Sequence, residues 1–183
     1  LDKLFTAKVE TSGRNQADIT GLIGQYAHGN EPSHHMAYLY NFVNKPHKTQ
    51  ERVNQILTEL YKNKPDGISG NEDCGQMSAW YVFSSMGFYP VTPGSNEYII
   101  GSPLFDKVSI NLESGKQFHI ISNNLSTTNK YIESVFLNGN KLNRSYITHE
   151  EIMQGGTLEF HMNGNPTVWG SLEGQEPKTE ITE

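Results

Sequence analysis

Between Pro90 and Gly94 the hydrophobic pattern of the chain changes its period, and the break separates two kinds of local structure. Upstream, apolar residues recur at helical intervals. Val53, Ile56, Leu57, Leu60 and Tyr61 fall at i, i+3, i+4, i+7 and i+8, which makes one stripe on one helix face. The sequence predicts that Thr49 caps this helix, that Glu51 suits its first turn and that Pro65 stops it. An earlier helix is predicted to start near Pro32, whose missing N–H costs nothing in a first turn, and to carry His35, Met36, Leu39, Tyr40 and Val43. A third runs from Gln76 to Met86 and ends at Gly87. Its Met77, Ala79, Trp80, Tyr81, Val82, Phe83 and Met86 are apolar nearly all round, so burial on most sides is expected. Three short helices joined by Gly- and Asn-rich loops read as a slice of a larger helical array.

Downstream the period is two. Val108, Ile110 and Leu112 alternate with polar neighbours, as do Leu158, Phe160 and Met162. The run from Ile132 to Leu137 leads into Asn138-Gly139, a two-residue hairpin signal, and Lys141-Leu142 returns. Ser122-Asn123-Asn124 and Gln154-Gly155-Gly156 read as turns between segments. The expectation is a helical unit over residues 1–92, a small antiparallel β module of sandwich type over 93–174, and a flexible tail over 175–183.

The length of 183 residues allows a hydrophobic core, and 35% hydrophobic with 19% charged residues argues against a disordered chain. No apolar run approaches a bilayer span, so no membrane span is expected. The net charge of −6, with Lys and Arg scattered, argues against a nucleic-acid partner, which needs a basic stripe. Cys74 is the single cysteine, which excludes an internal disulfide and a cysteine-based zinc knuckle. On its own it reads as a small buried residue rather than a nucleophile. The chain opens on Leu1 without a methionine and so reads as a piece, for which a missing leader is uninformative.

Two loops concentrate polar residues just before helices. The first is Gly29-Asn30-Glu31-Pro32-Ser33-His34-His35 and the second runs from Gly67 through Asn71-Glu72-Asp73-Cys74-Gly75 to Gln76. Each combines glycines, a carboxylate and an amide, so that a rigid helix presents an oxygen-rich loop to a cavity. Carboxylates with amides favour Ca²⁺ over zinc, and two carboxylate loops at one cavity also suit glycoside hydrolysis. Plainer readings stand beside these. Glu31 equally fits a charge that complements a helix dipole, and Glu72-Asp73 an ordinary solvated turn. His34 and His35, about 100° apart on a helix, are poorly placed to share a metal. Trp80, Tyr81 and Phe83 read as core rather than as a sugar platform.

At these loops the sequence resembles glycoside hydrolase family 92, the calcium-dependent, inverting exo-α-mannosidases. The first stretch continues through Ala37-Tyr38-Leu39-Tyr40-Asn41. The second runs from Gly70-Asn71-Glu72-Asp73-Cys74-Gly75-Gln76 through Met77-Ser78-Ala79-Trp80-Tyr81 to Met86-Gly87-Phe88-Tyr89-Pro90-Val91. A third is Tyr98-Ile99-Ile100-Gly101-Ser102-Pro103-Leu104-Phe105-Asp106, and the similarity spans residues 10 to 168. The resemblance implies an α+β multidomain fragment: the last helices of an (α/α)6 barrel, followed by the antiparallel β module. It implies Asp73 as general base, with Glu72 as a possible second carboxylate and Asn71 standing where some members have another acid. Asn30, Glu31, His34 and His35 are implied in substrate binding, with Glu31 and Asn30 also as Ca²⁺ ligands. The family's general acid lies upstream, so this chain alone is expected to be inactive. The implied activity is release of terminal α-mannose, expected to be α-1,2-linked, from mannose-rich glycans such as N-glycans. The setting implied is extracellular or in the periplasm and cell envelope. The implied partners are the glycan and either the rest of the polypeptide or a second copy covering an exposed barrel face. A non-catalytic carbohydrate-binding or structural module, and another (α/α)6 glycosidase such as a phosphorylase or trehalase relative, are the competing readings.

Overall fold

The computed structural model describes residues 1–8 and 19–178. A short helix α1 (Asp2–Thr6) precedes a two-stranded ribbon of β1 (Leu22–Ile23) and β2 (Tyr26–Ala27). Single 3₁₀ turns follow at Glu31–Ser33, Met36–Tyr38 and Asn41–Val43, the last closed by Asn44 in the left-handed region. Here the expected early helix is corrected. Ala37, Tyr38, Tyr40 and Asn41 are all buried, so burial is not confined to one helical face. Repeated tight turns meet that demand better than an amphipathic α-helix does.

Helix α2 (Pro46–Glu59) buries Val53, Ile56 and Leu57 of the expected stripe. Its start lies earlier than expected. Pro46 occupies the first turn, and Thr49 is a fully buried residue within the helix rather than its cap. Helix α3 (Gln76–Met86) has the expected bounds and ends on Gly87, whose φ is 103°. It buries Met77, Trp80, Ser84 and Ser85, but Ser78, Ala79 and Val82 face solvent. In this chain α3 is therefore covered on one side, not on most sides.

The β segments form two further sheets. β3 (Phe88–Tyr89), β4 (Glu97–Ile100) and β9 (Tyr146–Thr148) make a three-stranded antiparallel sheet in the order β3-β4-β9. β5 (Lys107–Asn111), β6 (Gln117–Asn123), β7 (Tyr131–Leu137), β8 (Asn140–Leu142) and β10 (Gly156–Asn163) make the larger one, ordered β5-β6-β10-β7-β8. Three of its pairings are antiparallel, including the β7–β8 hairpin across Asn138-Gly139, whereas β6 and β10 run parallel. Ser122 and Asn123, expected as a turn, belong to β6 and pair with Phe160 and His161. Helix α4 (His149–Met153) opens on a capping box of Thr148 and Glu151.

Two apolar cores result. One gathers α2, the 3₁₀ turns and Trp80 of α3; the other lies among the strands around Phe118, Ile120, Leu158 and Phe160. Buried amides join them. Gln50 Oε1 accepts the Ile132 N–H at 3.0 Å, and the Asn41 amide donates to the carbonyls of Ile100 and Ser145 at 2.9 and 3.2 Å. The first part of the expected flexible tail is held down. The Gln175 carbonyl accepts the Ser145 N–H, Lys178 N–H donates to Glu97, and Pro177 is buried. Residues 179–183 lie outside the described residues. Among the described residues no helix is long and apolar enough to cross a membrane.

Candidate active site

The two polar loops meet, and the contact is specific. Gly29 faces Thr20 and Ser69: a Cβ there would meet the Thr20 hydroxyl and lie 3.3 Å from the Ser69 carbonyl, so the two loops are in close contact at this glycine. His34 ends the 3₁₀ turn that begins at Glu31, and its N–H donates to the Glu31 carbonyl. From across the gap, Trp80 Nε1 of α3 donates to the His34 carbonyl at 3.1 Å. The Gln76 side chain reaches His34 Nδ1 and the Tyr89 hydroxyl, each at 3.1 Å.

These bonds fix the state of His34. Its Nε2 lies 3.0 Å from the His28 carbonyl, which only accepts, so Nε2 carries the proton. Nδ1 must then accept, which orients the Gln76 amide with its nitrogen toward the ring. Burial, the main cause, lowers the His34 pKa and keeps the ring neutral.

His28 stacks on His34, with ring centroids 4.7 Å apart, and meets Trp80 edge-on. Tyr26 hydroxyl is 2.8 Å from His28 Nδ1, Nε2 is 2.7 Å from the Tyr61 hydroxyl, and that hydroxyl donates to the Met77 carbonyl at 3.2 Å. One assignment satisfies every bond: Tyr26 donates to Nδ1, and Nε2–H donates to the Tyr61 oxygen, whose own O–H donates to the Met77 carbonyl. Desolvation pushes the His28 pKa down to about 3.

The second loop carries an unusual backbone. Asp73, Cys74 and Gly75 are consecutive left-handed residues, with φ of 53°, 55° and 98°. Gly75 takes this conformation freely, whereas the first two are strained there. The turn is held from both sides. The Glu72 carboxylate accepts the N–H groups of Gly75 and, at 3.1 Å, of Ser78, and the Asp73 carbonyl accepts the Gln76 N–H at 3.1 Å. Glu72 thus caps α3, and these bonds, led by those to Ser78, lower its pKa. Both of its oxygens are thus engaged at the start of the helix.

Asn71 and Asp73 are exposed, and Asn30, Glu31 and His35 are half-buried. Cys74, expected to be buried, is exposed, because the left-handed turn lifts it away from the core. Trp80 is core, as its sequence context indicates. The structure therefore ties the Glu31 turn to the Asp73 turn through His34 and Gln76. Sequence reasoning passed over His28 and gave no role to Gln76. The usable signal for Gln76 was a long polar side chain at the first position of a mostly apolar helix.

Asn30 and Glu31 are oxygen donors of the kind Ca²⁺ takes. Among the described residues, however, no group of three or more His, Cys, Asp and Glu side chains could hold a metal ion. By donor chemistry these two residues suit Ca²⁺, but two side chains alone would make only part of its coordination shell.

Residues 1–164 match the family model for the glycosyl hydrolase family 92 catalytic domain. The chain belongs to that family. It is similar to a family 92 α-mannosidase from Bacteroides thetaiotaomicron whose structure holds mannoimidazole. That match has 43% identity and a TM-score of 0.92, over 97% of this chain and 23% of that one. An inverting mannosidase of the same family from Bacteroides thetaiotaomicron VPI-5482 matches with 46% identity and a TM-score of 0.79. It covers 84% of this chain and 21% of its own. A curated relative, an uncharacterised secreted glycosidase of Arthroderma benhamiae, is 34% identical over 152 residues, 81% of this chain and 20% of the relative. The family 92 chain thus spans about a fifth of the length of these relatives.

Proposed function

We propose that this chain is part of an inverting exo-α-mannosidase that removes terminal, α-1,2-linked mannose from mannose-rich glycans. The reading rests on the likeness, over 97% of the chain, to an α-mannosidase whose structure holds mannoimidazole. The site adds a physical argument. A general base needs a carboxylate that reaches water yet is rigidly held, and Asp73 is exposed on a strained turn that Glu72 and Gln76 pin.

In this reading Asp73 takes a proton from the water that attacks the anomeric carbon, opposite the leaving oxygen. Asn71 lies beside it on the exposed rim, and Asn30 and Glu31 orient the sugar across the gap. His34 and His35 support that turn, with His34 working from behind it. Asn30 and Glu31 also supply ligands to Ca²⁺, which when bound would hold sugar hydroxyls and offset developing charge. The leaving oxygen is protonated by a group outside this chain, so the isolated chain is inactive. The protein works outside the cell or in its envelope, a placement supported by the secreted relative.

The test is hydrolysis of p-nitrophenyl α-mannoside and of α-1,2-mannobiose by the full-length gene product. Asp73→Asn should lower kcat about 10²–10⁴-fold, the range general-base catalysis supplies. EDTA should abolish activity, calcium should restore it, and α-1,2-mannobiose should outrun its α-1,3 and α-1,6 isomers. A full-length protein inactive on every mannoside would sink the proposal, and a fully active Asp73→Asn variant would remove Asp73 from it.

A further inference from the structure

We infer that Gln76 is the positioning residue of this site, fixing the Asp73 turn against the Glu31 turn through the neutral ring of His34. The inference rests on the reading of Asp73 as base, but its geometry stands separately. Gln76 is bonded on both sides of the gap. Its backbone N–H holds the Asp73 carbonyl at 3.1 Å, and its amide holds His34 Nδ1 and the Tyr89 hydroxyl, each at 3.1 Å. His34 in turn holds the Glu31 carbonyl through its own N–H at 2.9 Å. One hydrogen-bonded path from Asp73 to Glu31 therefore runs through the Gln76 side chain. Trp80 braces the same joint through the His34 carbonyl and packs beside the ring, but it makes no hydrogen bond to the ring or to the Asp73 carbonyl.

The joint depends on one proton. The groups facing His34 are the stacked His28 ring and its carbonyl, Glu31 and His35 from its own segment, and Gln76 and Trp80 from α3. Tyr89 of β3 faces the Gln76 amide. Nε2 is committed to the His28 carbonyl, so Gln76 can bond the ring only while Nδ1 is bare. A side chain without an N–H at position 76 cannot make this contact.

Gln76→Ala and Gln76→Met in the full-length protein test this. Both should lower kcat/KM about 10–100-fold, mostly in kcat, as expected when a reacting group loses its alignment. A role in folding alone would lower the yield of folded protein and its melting temperature without that fall in kcat. Selective ¹⁵N labelling of histidine gives a readout independent of substrate. His34 should be the Nε2–H tautomer in the wild type, and its Nδ1 resonance should shift when either variant removes the amide that donates to it. Wild-type kcat/KM in both variants, or an unmoved His34 Nδ1 resonance, overturns the inference. Inactivity of the wild type on mannosides defeats the proposed function instead, and the imidazole spectra then still decide whether the joint exists.

Discussion

His28 is fully buried, and both of its ring nitrogens are engaged by tyrosines. Its pKa falls from 6.5 to about 3 because burial disfavours the charged ring, with neighbouring His34 adding to the effect. The unfolded chain therefore binds this proton more readily than the folded one over the whole interval between those values. Stability should be fullest above the unfolded value and drain away as pH falls from 6.5 toward 3. The loss should reach about 2 kcal/mol by roughly pH 5. Urea denaturation of the wild type and of His28→Phe at a series of pH values checks this. The variant should be less stable near neutrality but show a visibly shallower acid slope; parallel slopes would assign the acid sensitivity to other groups. At this scale the sequence was legible only in part. Asp73 and Glu31 stood out because carboxylates beside glycines are conspicuous. His28 did not, because nothing in its neighbours marks a histidine as buried. The partners that make it so, Tyr61 and Trp80, are 33 and 52 residues further along.

Among the elements, α3 could be read from the sequence to its last residue, since Gly87 ends the apolar run where the helix stops. The hairpin at Asn138-Gly139 was equally legible, because its turn chemistry is local. The segment from Glu31 to Val43 was not. Its side chains answer to distant partners: Tyr38 donates to Ser84 at 2.8 Å, and Asn41 to Ile100 and Ser145. Strand β6 was hidden for a related reason, its polar end being held by parallel pairing with β10. Helix α2 shows what such non-local bonds contribute. Gln50 is 1% exposed, and its Oε1 satisfies the Ile132 N–H at the start of β7. Gln50→Leu keeps the volume but leaves a buried donor unpaired, at a cost of about 1–3 kcal/mol. Equilibrium denaturation should show that loss, together with faster hydrogen exchange at the Ile132 amide. An unchanged exchange rate would mean that another acceptor takes over.

At the scale of the whole molecule, α3 has one side in the core and one side bare. Trp80 is fully buried, whereas Val82 is 52% exposed and Ala79 and Ser78 are exposed beside it. The bare side is not flat. With Tyr81, Ser78 and Val82 as one wall and residues 62–65, 67 and 68 as the other, it borders a cleft of about 480 Å³. Exposed apolar residues grouped on one helix face beside a concave surface are what a protein interface requires. The chain spans about a fifth of the length of its relatives, which is consistent with further polypeptide packing on this face in the whole protein. In the isolated chain a second copy can pack on this face instead. Sedimentation velocity on residues 1–183 should therefore show an average mass that rises with concentration. Val82→Lys, which puts a charge on the bare face without touching Trp80, should hold the chain monomeric while leaving its denaturation midpoint nearly unchanged. If Val82→Lys associates as the wild type does, the contact lies elsewhere. Val168, 80% exposed, and Leu172, 64% exposed, then become the next positions to change. If the wild type is monomeric at every concentration, the exposed side of α3 is too small to hold a partner without the rest of the protein.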